Sequence, residues 1–424
     1  MAVDERPAAG VDVFDPHVYA EGMPYDRLAT LRKHRPVAWH AEHEVLGWSA
    51  GPGFWAVTRH HDVTSVSRTP QLFSAQLGGT QIRDPDTPED LTFVQRMMLN
   101  MDPPEHSRLR AILNQGFTPR NVSRLEPVIR GHCQRLVDEI ATRGECDFAE
   151  DFGAKLPLLV LADVMGVPPS DAHLLYEWTN RIIGYQDDEY AQPVDPDTGR
   201  PLNPRSREAL ADMFDYAHEL AEHKRAHPAD DLITKLLEAE VDGERITTEE
   251  FENMFFLFTV AGNDTTHSSI PGGMLALLEH PAERQRLLTD PGLLPGAIEE
   301  MLRYAPPVIH FRRTATRDCR LRDVPIAAGE KVVVFYASAN RDEEVFDDPD
   351  RFDITRRASR HVTFGVGPHF CLGNVLARLQ MRVAFSELLW RLPDMEPAGP
   401  VERLQSNFIN GLKRMPVRFT PEPA

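Results

Sequence analysis

The sequence predicts a mainly helical fold with a smaller β-rich part. Residues 247–250 (Thr-Thr-Glu-Glu) form a capping box, and apolar residues follow it at helical spacing, so a long helix begins there. Residues 106–166 also keep a mostly helical pattern. Short aromatic and β-branched runs lie towards both ends. We therefore expect one domain, residues 1–424, whose β-rich part comes from about residues 36–60, 308–336 and 400–420.

The first elements in chain order are a short helix near residues 25–32 and two strands, at residues 36–39 and 53–58. Gly, Ser and Pro separate these strands, which is typical of a small antiparallel sheet. Two irregular stretches follow, at residues 76–90 and 183–204, rich in Gly, Asp and Pro. Because loops of this length in a compact domain are usually functional, we expect both to cover a pocket.

The long helix is expected to run from the capping box through residues 261–266 towards residue 278. Its apolar residues are typical of a protein core. Gly262, Asp264 and two threonines, however, are unfavourable in the middle of a helix, which suggests that these polar side chains have a function. Pro271 lies in the same helix, where proline removes a hydrogen bond. We expect a kink or an early end there.

A second helix is expected from about Pro295 to Tyr304. Glu300 and Arg303 share one face of it, which taken alone suggests a surface ion pair contributing under about 1 kcal/mol. The remaining expected elements are strands at residues 308–311 and 331–335, a helix after Gly373, and strands near Phe408 and Val417.

Composition and charge exclude several classes of protein. The chain has 46 basic and 65 acidic residues, a net charge of −19, which argues against nucleic-acid binding and against docking on an anionic membrane. Residues 1–10 are polar, and no apolar run approaches twenty residues, so we expect no membrane anchor. The four cysteines are scattered and form no CxxC pair, which favours a cytoplasmic location.

Residues 364–373 are the most distinctive stretch of the sequence. They form a loop with three glycines that places Cys371 just before a helix. Main-chain N–H groups at a helix start stabilise a thiolate, as a metal-binding cysteine requires. Taken alone, the loop would also suit a buried, inert cysteine.

Four separated motifs resemble those of the cytochrome P-450 family, in its soluble bacterial haem-thiolate form. The loop matches Phe-Gly-x-Gly-x-His-x-Cys-x-Gly at every specified position. The other three are Glu300-x-x-Arg303, the acid and alcohol pair Asp264-Thr265 after Ala261-Gly262, and His106-x-x-x-Arg110. Their order and joint occurrence make the resemblance specific. It extends over essentially the whole chain.

The resemblance implies haem b, with Cys371 as the axial thiolate of the iron. It also implies that Phe364 packs beside the porphyrin, that glycines give the ring clearance, and that cationic side chains bind the propionates. The residues concerned are Phe364, Gly365, Gly367 and Gly373 in the loop, Ala261 and Gly262 on the long helix, and His106, Arg110, Arg313 and His369 around the propionates.

Asp264 and Thr265 are the expected catalytic pair, because the implied reaction needs two protons in a dry pocket. A hydroxyl that holds a water and a carboxylate that relays protons would meet this need. Glu300 and Arg303 are implied to be structural, joined by a further arginine for which we expect Arg351.

Substrate contacts are expected from the stretch at residues 77–99, the long helix, a strand and the C-terminal region. The predicted residues are Leu99, Phe258, Ala261, Val308, Ile309, Phe408 and Ile409. Because most are apolar, we expect a largely apolar substrate. Similar bacterial members hydroxylate steroids, terpenoids and branched lipids, and secondary metabolites remain open.

Electrons should come from outside, since the sequence has no dinucleotide, flavin or iron–sulfur motif. The resemblance implies a ferredoxin fed by a ferredoxin reductase, with dioxygen as the oxidant. The expected docking face carries Arg108, Arg120, Arg378 and Arg382.

Two other functions stay open at this point. A peroxide-driven peroxygenase would need no redox partner, but such members generally lack the acid and alcohol pair. A non-catalytic haem gas sensor would not need the proton relay that Asp264-Thr265 implies.

Overall fold

The computed structural model describes residues 10–190, 208–229, 231–241, 243–357 and 360–423. It is mainly helical with a smaller β-rich part, which confirms the predicted fold class. The helices are α1 His17–Ala20, α2 Tyr25–His34, α3 His60–Arg68, α4 Pro88–Gln95, α5 Glu105–Gly116, α6 Pro119–Ser123, α7 Glu126–Ala141, α8 Lys155–Met165, α9 Ala172–Ile183, α10 Ala211–Ala226, α11 Leu232–Glu238, α12 Thr248–Glu279, α13 Pro281–Thr289, α14 Leu294–Tyr304, α15 Tyr336–Ala339 and α16 Asn374–Arg391.

The strands lie at both ends of the chain and in two short insertions. They are β1 Val37–His40, β2 Phe54–Val57, β3 Phe73–Ser74, β4 Glu145–Asp147, β5 Glu240–Val241, β6 Glu244–Arg245, β7 His310–Ala315, β8 Cys319–Leu321, β9 Val324–Ile326, β10 Lys331–Phe335, β11 Glu396–Pro397, β12 Glu402–Arg403, β13 Leu412–Arg414 and β14 Pro416–Arg418.

A five-stranded sheet in the order β1-β2-β10-β7-β3 joins the two ends of the chain. The β1-β2 pair is antiparallel, with Val37 opposite Val57, as the sequence suggests. Strand β2 then pairs in parallel with β10, and β10 pairs antiparallel with β7. The runs predicted at residues 36–60 and 308–336 therefore form one sheet, while the strands near residues 400–420 belong to two other sheets.

Helix α12 is the long helix of the prediction. Thr247 accepts a hydrogen bond from the main-chain N–H of Glu250, and the Glu250 side chain accepts one from Thr247 in return, so the capping box is confirmed. The expectation of an early end at Pro271 is wrong, because α12 continues to Glu279. Neighbouring helices α8, α9, α10 and α14 pack along α12, and this packing compensates for the lost hydrogen bond.

A π-helical turn, Ala149–Ala154, leads directly into α8 and packs on α12 at Pro271. A Cβ atom on Gly153 would lie 2.5 Å from the Cγ atom of Pro271, so only glycine allows this approach. The sequence pattern did not indicate this π turn, nor the short strand β4 that precedes it.

The two irregular stretches have different outcomes. Residues 75–87 form no helix or strand, as expected, and α4 begins at Pro88. The second stretch begins as the end of α9 and a 3₁₀ turn, Gly184–Gln186. Most of it, residues 191–207, lies outside the described residues.

Buried apolar side chains form three clusters, around the sheet and α12, around α7, α8, α14 and α16, and around the N-terminal segment. That the whole chain is one domain stays a prediction. None of the helices in the described ranges combines the length and apolar character needed to cross a membrane.

Candidate active site

The cysteine loop is held by main-chain hydrogen bonds. Cys371 N–H donates to the carbonyl of Phe364 at 2.8 Å, and the carbonyl of Cys371 accepts from the Asn374 side chain at 2.8 Å. Gly365 and Gly367 have φ of 69° and 77°, a region that favours glycine. A Cβ on Gly367 would lie 2.6 Å from the carbonyl oxygen of Ser67. Gly367 thus allows close packing on α3, a reason the ring-clearance prediction did not include.

The Cys371 side chain is partly buried immediately before α16. Burial raises the pKa of this thiol, while the Gly373 main-chain N–H and the positive charges of Arg110 and Arg378 act in the opposite direction. The guanidinium of Arg378 also lies 4.3 Å from the centre of the Phe364 ring. The loop, α5 and α16 therefore each supply one group that favours the anion of the sulfur, against the larger effect of burial.

Four cationic or potentially cationic side chains lie together near this loop. The rings of His106 and His369 have centroids 4.3 Å apart. Burial, then Arg110 and Arg313 among the nearby charges, lowers the pKa of His106 to about 4. Burial, Arg313, His106 and Arg110 lower that of His369 to about 2. After burial, the positive charges of Arg110 and Arg313 are the main charges that lower these two pKa values, and Asp102 opposes them only at His106.

The polar atoms of this group are incompletely bonded. His106 Nδ1 and His369 Nε2 are buried with no hydrogen-bond partner in the described structure. Arg313 is 2% exposed and donates to the carbonyl of Arg312 at 2.7 Å. No ion pair is found for Arg110 or Arg313 within the described ranges, so a bound anion would find two guanidinium groups and two imidazole rings here.

A cavity of about 220 Å³, the large cavity of the two described below, opens beside Cys371. Most of the predicted contacts line it, and most of its surface is apolar. The predicted residues in its wall are Leu99, His106, Arg110, Phe258, Ala261, Gly262, Thr265, Val308, Phe364, Gly365, His369, Cys371 and Gly373.

Three predicted substrate residues do not line this cavity. Ile309 is fully buried in the N-terminal cluster, because alternate residues of extended backbone point to opposite sides. Phe408 packs behind Phe311, with ring centroids 5.7 Å apart. Ile409 lines a different cavity. Of the stretch at residues 77–99, only Met98 and Leu99 reach the large cavity.

The prediction also missed part of the wall. Helix α8 contributes Val160, Leu161 and Val164, and strand β7 contributes Phe311. The apolar face of α8 was visible in the sequence, but its packing against α12 was not. A Cβ on Gly262 would lie 3.2 Å from Leu161 Cδ1, so Gly262 accommodates this neighbour.

Asp264 and Thr265 face different cavities. The Thr265 hydroxyl donates to the carbonyl of Ala261 at 2.8 Å, and Thr265 lines the large cavity. Asp264 is 7% exposed and lines a second cavity, and its Oδ2 has no hydrogen-bond partner in the described structure. Burial raises the pKa of Asp264 well above its usual value and so favours the protonated carboxyl.

Glu300 and Arg303 are fully buried, joined by two hydrogen bonds of 2.7 and 2.8 Å. The further arginine is Arg356, whose Nε lies 3.2 Å from Glu300 Oε1. The expectation of Arg351 is therefore wrong for the side chain. Arg351 instead contributes its main-chain carbonyl, which accepts from Arg303 at 3.2 Å. Sequence spacing could not separate two arginines five residues apart.

The four arginines of the expected docking face are not equally free. Arg378 binds Glu299 through two hydrogen bonds, Arg382 pairs with Glu126 at 2.7 Å, and Arg108 pairs with Glu250. Arg120 is exposed in α6, next to Pro119, which lines a groove together with Arg378 and Arg382. Arg108 is not part of this groove wall.

Comparison with known proteins agrees with this geometry. The family model described as Cytochrome P450 matches residues 51–393. The chain belongs to the cytochrome P450 family. It is a P450 monooxygenase, and its family implies a haem iron held by a cysteine thiolate.

The curated relatives include a steroid C26-monooxygenase of Mycobacterium tuberculosis. It is 39% identical over 415 residues, which cover 97% of this chain and 93% of that protein. A methyl-branched lipid omega-hydroxylase of the same species is 40% identical, covering 98% and 96% of the two chains. Among solved structures, a Mycobacterium marinum cytochrome P450 in complex with pseudoionone has a TM-score of 0.87 at 36% identity, covering 98% of this chain and 100% of that chain.

The residues of this P450 fit a haem. The group of His106, Arg110, Arg313 and His369 suits two carboxylates. Its guanidinium groups can pair with them, and the ring nitrogens of His106 and His369 that have no partner in the described structure can donate hydrogen bonds to them. The thiol and the apolar wall lie beside the same group. The prediction of a thiolate-bound haem cofactor is confirmed at the level of the family.

Proposed function

We propose that this P450 inserts one atom of dioxygen into an apolar C–H or C=C bond of a small molecule. The other oxygen atom takes up two electrons and two protons and leaves as water. The observation that carries this proposal is that Thr265 and the loop thiol of Cys371 line one large, mostly apolar cavity. We propose haem b as the cofactor and Cys371 as its ligand.

The haem, when bound, supplies dioxygen activation with electron donation from the thiolate. The chain would hold it through His106, Arg110, Arg313 and His369 at the propionates, and through Phe364 beside the ring. Gly365 and Gly373 lie in the cavity wall, and because glycine has no side chain, the haem ring could approach the main chain closely there. The positions of His106, Arg110, His369 and Phe364 in the wall of one cavity support these roles.

Proton delivery is assigned to Asp264 and Thr265. The Thr265 hydroxyl can hold a water in the large cavity, and Asp264 can supply a proton because burial raises its pKa and favours the protonated carboxyl. The two side chains face different cavities, so α12 separates the source of protons from the place of their use. That arrangement keeps bulk water away from the reacting atoms.

The substrate is proposed to be a sterol or a methyl-branched lipid, oxidised near the end of an aliphatic chain. The apolar wall supports an apolar substrate, and the names of the relatives specify a C26 position and an omega position. Val160, Leu161 and Phe311 would contact it together with the predicted Leu99, Phe258 and Val308. A spin-state shift of the haem on titration with sterols or branched fatty acids would test this.

We propose a ferredoxin and its reductase as the source of electrons. The groove beside Arg120, Arg378 and Arg382 supports docking of an acidic partner. Arg120→Glu with Arg382→Glu should slow iron reduction by ferredoxin at low salt but leave reduction by dithionite unchanged. Equal slowing by both reductants would contradict the docking site.

The reaction itself is tested by comparing product formation with ferredoxin and reductase against hydrogen peroxide alone. We expect peroxide to support little turnover, and Thr265→Ala to lower product formed per electron pair by about 10-fold or more. Thr266→Ala is a control that alters the neighbouring hydroxyl in the same wall. Equal turnover with peroxide, together with no effect of Thr265→Ala, would favour the peroxygenase alternative.

A further inference from the structure

A second cavity, of about 40 Å³ and so large enough for ordered water, lies against α12 and is separate from the large one. Asp264, His267 and Ser268 line it from α12, Glu150 and Ala154 from the π turn, and Lys413 from β13. The carboxyl of Asp264 is buried here, and its Oδ2 has no hydrogen-bond partner among the described residues. A buried carboxyl without a protein partner calls for a water or another polar group in this space.

His267 follows Asp264 by three residues, so their Cβ atoms lie on the same helix face, about 5–6 Å apart. Its side chain reaches the same cavity. Burial lowers the pKa of His267 to about 4, so the imidazole is neutral at physiological pH. A neutral imidazole has one nitrogen that donates and one that accepts, which lets it pass a proton without becoming charged.

Pro271 adds a second polar feature at this turn. It has no N–H, so the main-chain carbonyl of His267, four residues earlier, lacks its α-helical donor. The π turn packs on Pro271 through Gly153, and the same turn carries Glu150 into the cavity wall. Single π turns frequently mark functional positions in helices. The carboxyl, the imidazole and this carbonyl could hold ordered water here.

The mouth of the cavity connects to solvent. Glu150 is exposed. Lys413 is paired with Asp187 and Glu189 at 3.0 Å each, so its charge is neutralised. A proton entering past Glu150 therefore meets no unpaired cation on Lys413.

We propose that His267 is a relay residue that returns protons from solvent to Asp264. When the Asp264 carboxyl has given up its proton, one ring nitrogen of His267 donates a proton to the carboxylate through a water. The other ring nitrogen takes a proton from water at the cavity mouth. One proton moves from bulk to Asp264, no electron moves, and the imidazole stays neutral. The inference rests on the proposed role of Asp264, through which His267 acts.

The test follows hydrogen–deuterium exchange at the Asp264 carboxyl in the resting holoenzyme. Mixing with D₂O shifts the C=O band of a protonated carboxyl, which stopped-flow infrared spectroscopy can record, and Asp264→Asn assigns the band by removing it. We expect His267→Leu to slow this exchange by about 10-fold or more, because general acid–base groups contribute on this scale. His267→Gln keeps the polarity of the site but cannot relay, so exchange should also slow.

Ser268→Ala is the matched control, since Ser268 lines the same cavity and has no part in the relay. It should exchange at the wild-type rate. Wild-type exchange in both His267 variants, or in whichever of them folds, would overturn the proposal. The proposal would also be overturned if Asp264→Asn removed no C=O band, because the Asp264 carboxyl of the wild type would then be ionised. The exchange measurement involves no turnover, so its result is independent of the monooxygenase reaction. The proposed role of Asp264 in that reaction has its own test, and it is contradicted if Asp264→Asn leaves the product formed per electron pair unchanged.

Discussion

Individual polar residues on α12 explain why this helix departs from a simple core pattern. The hydroxyls of Thr265 and Ser269 donate to carbonyls four residues earlier, at 2.8 and 2.6 Å, so they are satisfied within the helix. Asp264 has no such bond for Oδ2 in the part of the chain that the structure describes. At the scale of single residues, the unsatisfied carboxyl is thus the costly one, and it is the residue to which we assign proton delivery.

Asp264→Asn should stabilise the protein increasingly as pH rises. Below the ordinary pKa of aspartate both folded and unfolded states are protonated, so the contribution of this group to stability is fully present. Above it the unfolded state ionises while the folded carboxyl stays neutral, because burial raises its pKa, and the free energy of unfolding falls. Asparagine does not titrate and avoids this loss.

Urea unfolding of wild type and Asp264→Asn at about pH 5 and about pH 8 would measure the effect, with about 1.4 kcal/mol per pKa unit of elevation. Glu150→Gln, an exposed carboxyl at the same cavity, is the control. Parallel stability curves for wild type and Asp264→Asn would show that the folded carboxyl titrates normally.

At the scale of elements, the sequence predicted what is local. The start of α12 was correct because a capping box lies within four residues. Strand β4 was missed because its three residues pair with β14, about 270 residues later. Arg356 and Ile309 were misjudged for the same reason, since a fold decides which side chain faces a site. The acid and alcohol pair was found by its motif, but its division between two cavities depends on packing.

The irregular segment at residues 75–87 is attached to the sheet at β7 and β10. Arg312 donates from its main-chain N–H to the carbonyl of Thr80 at 2.8 Å, and its guanidinium lies 2.6 Å from Asp84. Lys331 also pairs with Asp84, at 2.8 Å, and with Glu42. Asp84 therefore balances two cations that are almost fully buried, and it fixes a segment that precedes the cavity residues Met98 and Leu99.

Asp84→Asn should loosen this segment, because Arg312 would lose its carboxylate partner and Lys331 would keep only that of Glu42. We expect amide hydrogen exchange at residues 76–87 to accelerate by about 10-fold, equivalent to about 1.4 kcal/mol of local stability. Asp86→Asn, an exposed carboxylate in the same segment, should leave exchange unchanged. Unchanged exchange in Asp84→Asn would show that the main-chain bonds of Arg312 suffice.

At the scale of the whole molecule, the buried network of Glu300 connects α14 to the segment that leads into the cysteine loop. Arg303 donates to the carbonyls of Asn340 and Pro349 at 2.9 and 2.8 Å. Asn340 in turn donates to Thr363, whose hydroxyl donates to the carbonyl of Leu302. Thr363 immediately precedes Phe364, so the network reaches the start of the loop.

Glu300→Gln should destabilise the protein and weaken haem retention together. Removing one charge leaves Arg303 and Arg356 buried beside a neutral amide, and breaking a buried pair in this way costs about 3–5 kcal/mol. We expect a lower urea midpoint and faster transfer of haem to an excess of apomyoglobin. Glu343→Gln is a matched control, because Glu343 also pairs with two arginines, Arg32 and Arg59, but is 47% exposed. Its loss should stay below about 1 kcal/mol. If Glu300→Gln lowered stability without faster haem transfer, the network would support the helices but not the cysteine loop.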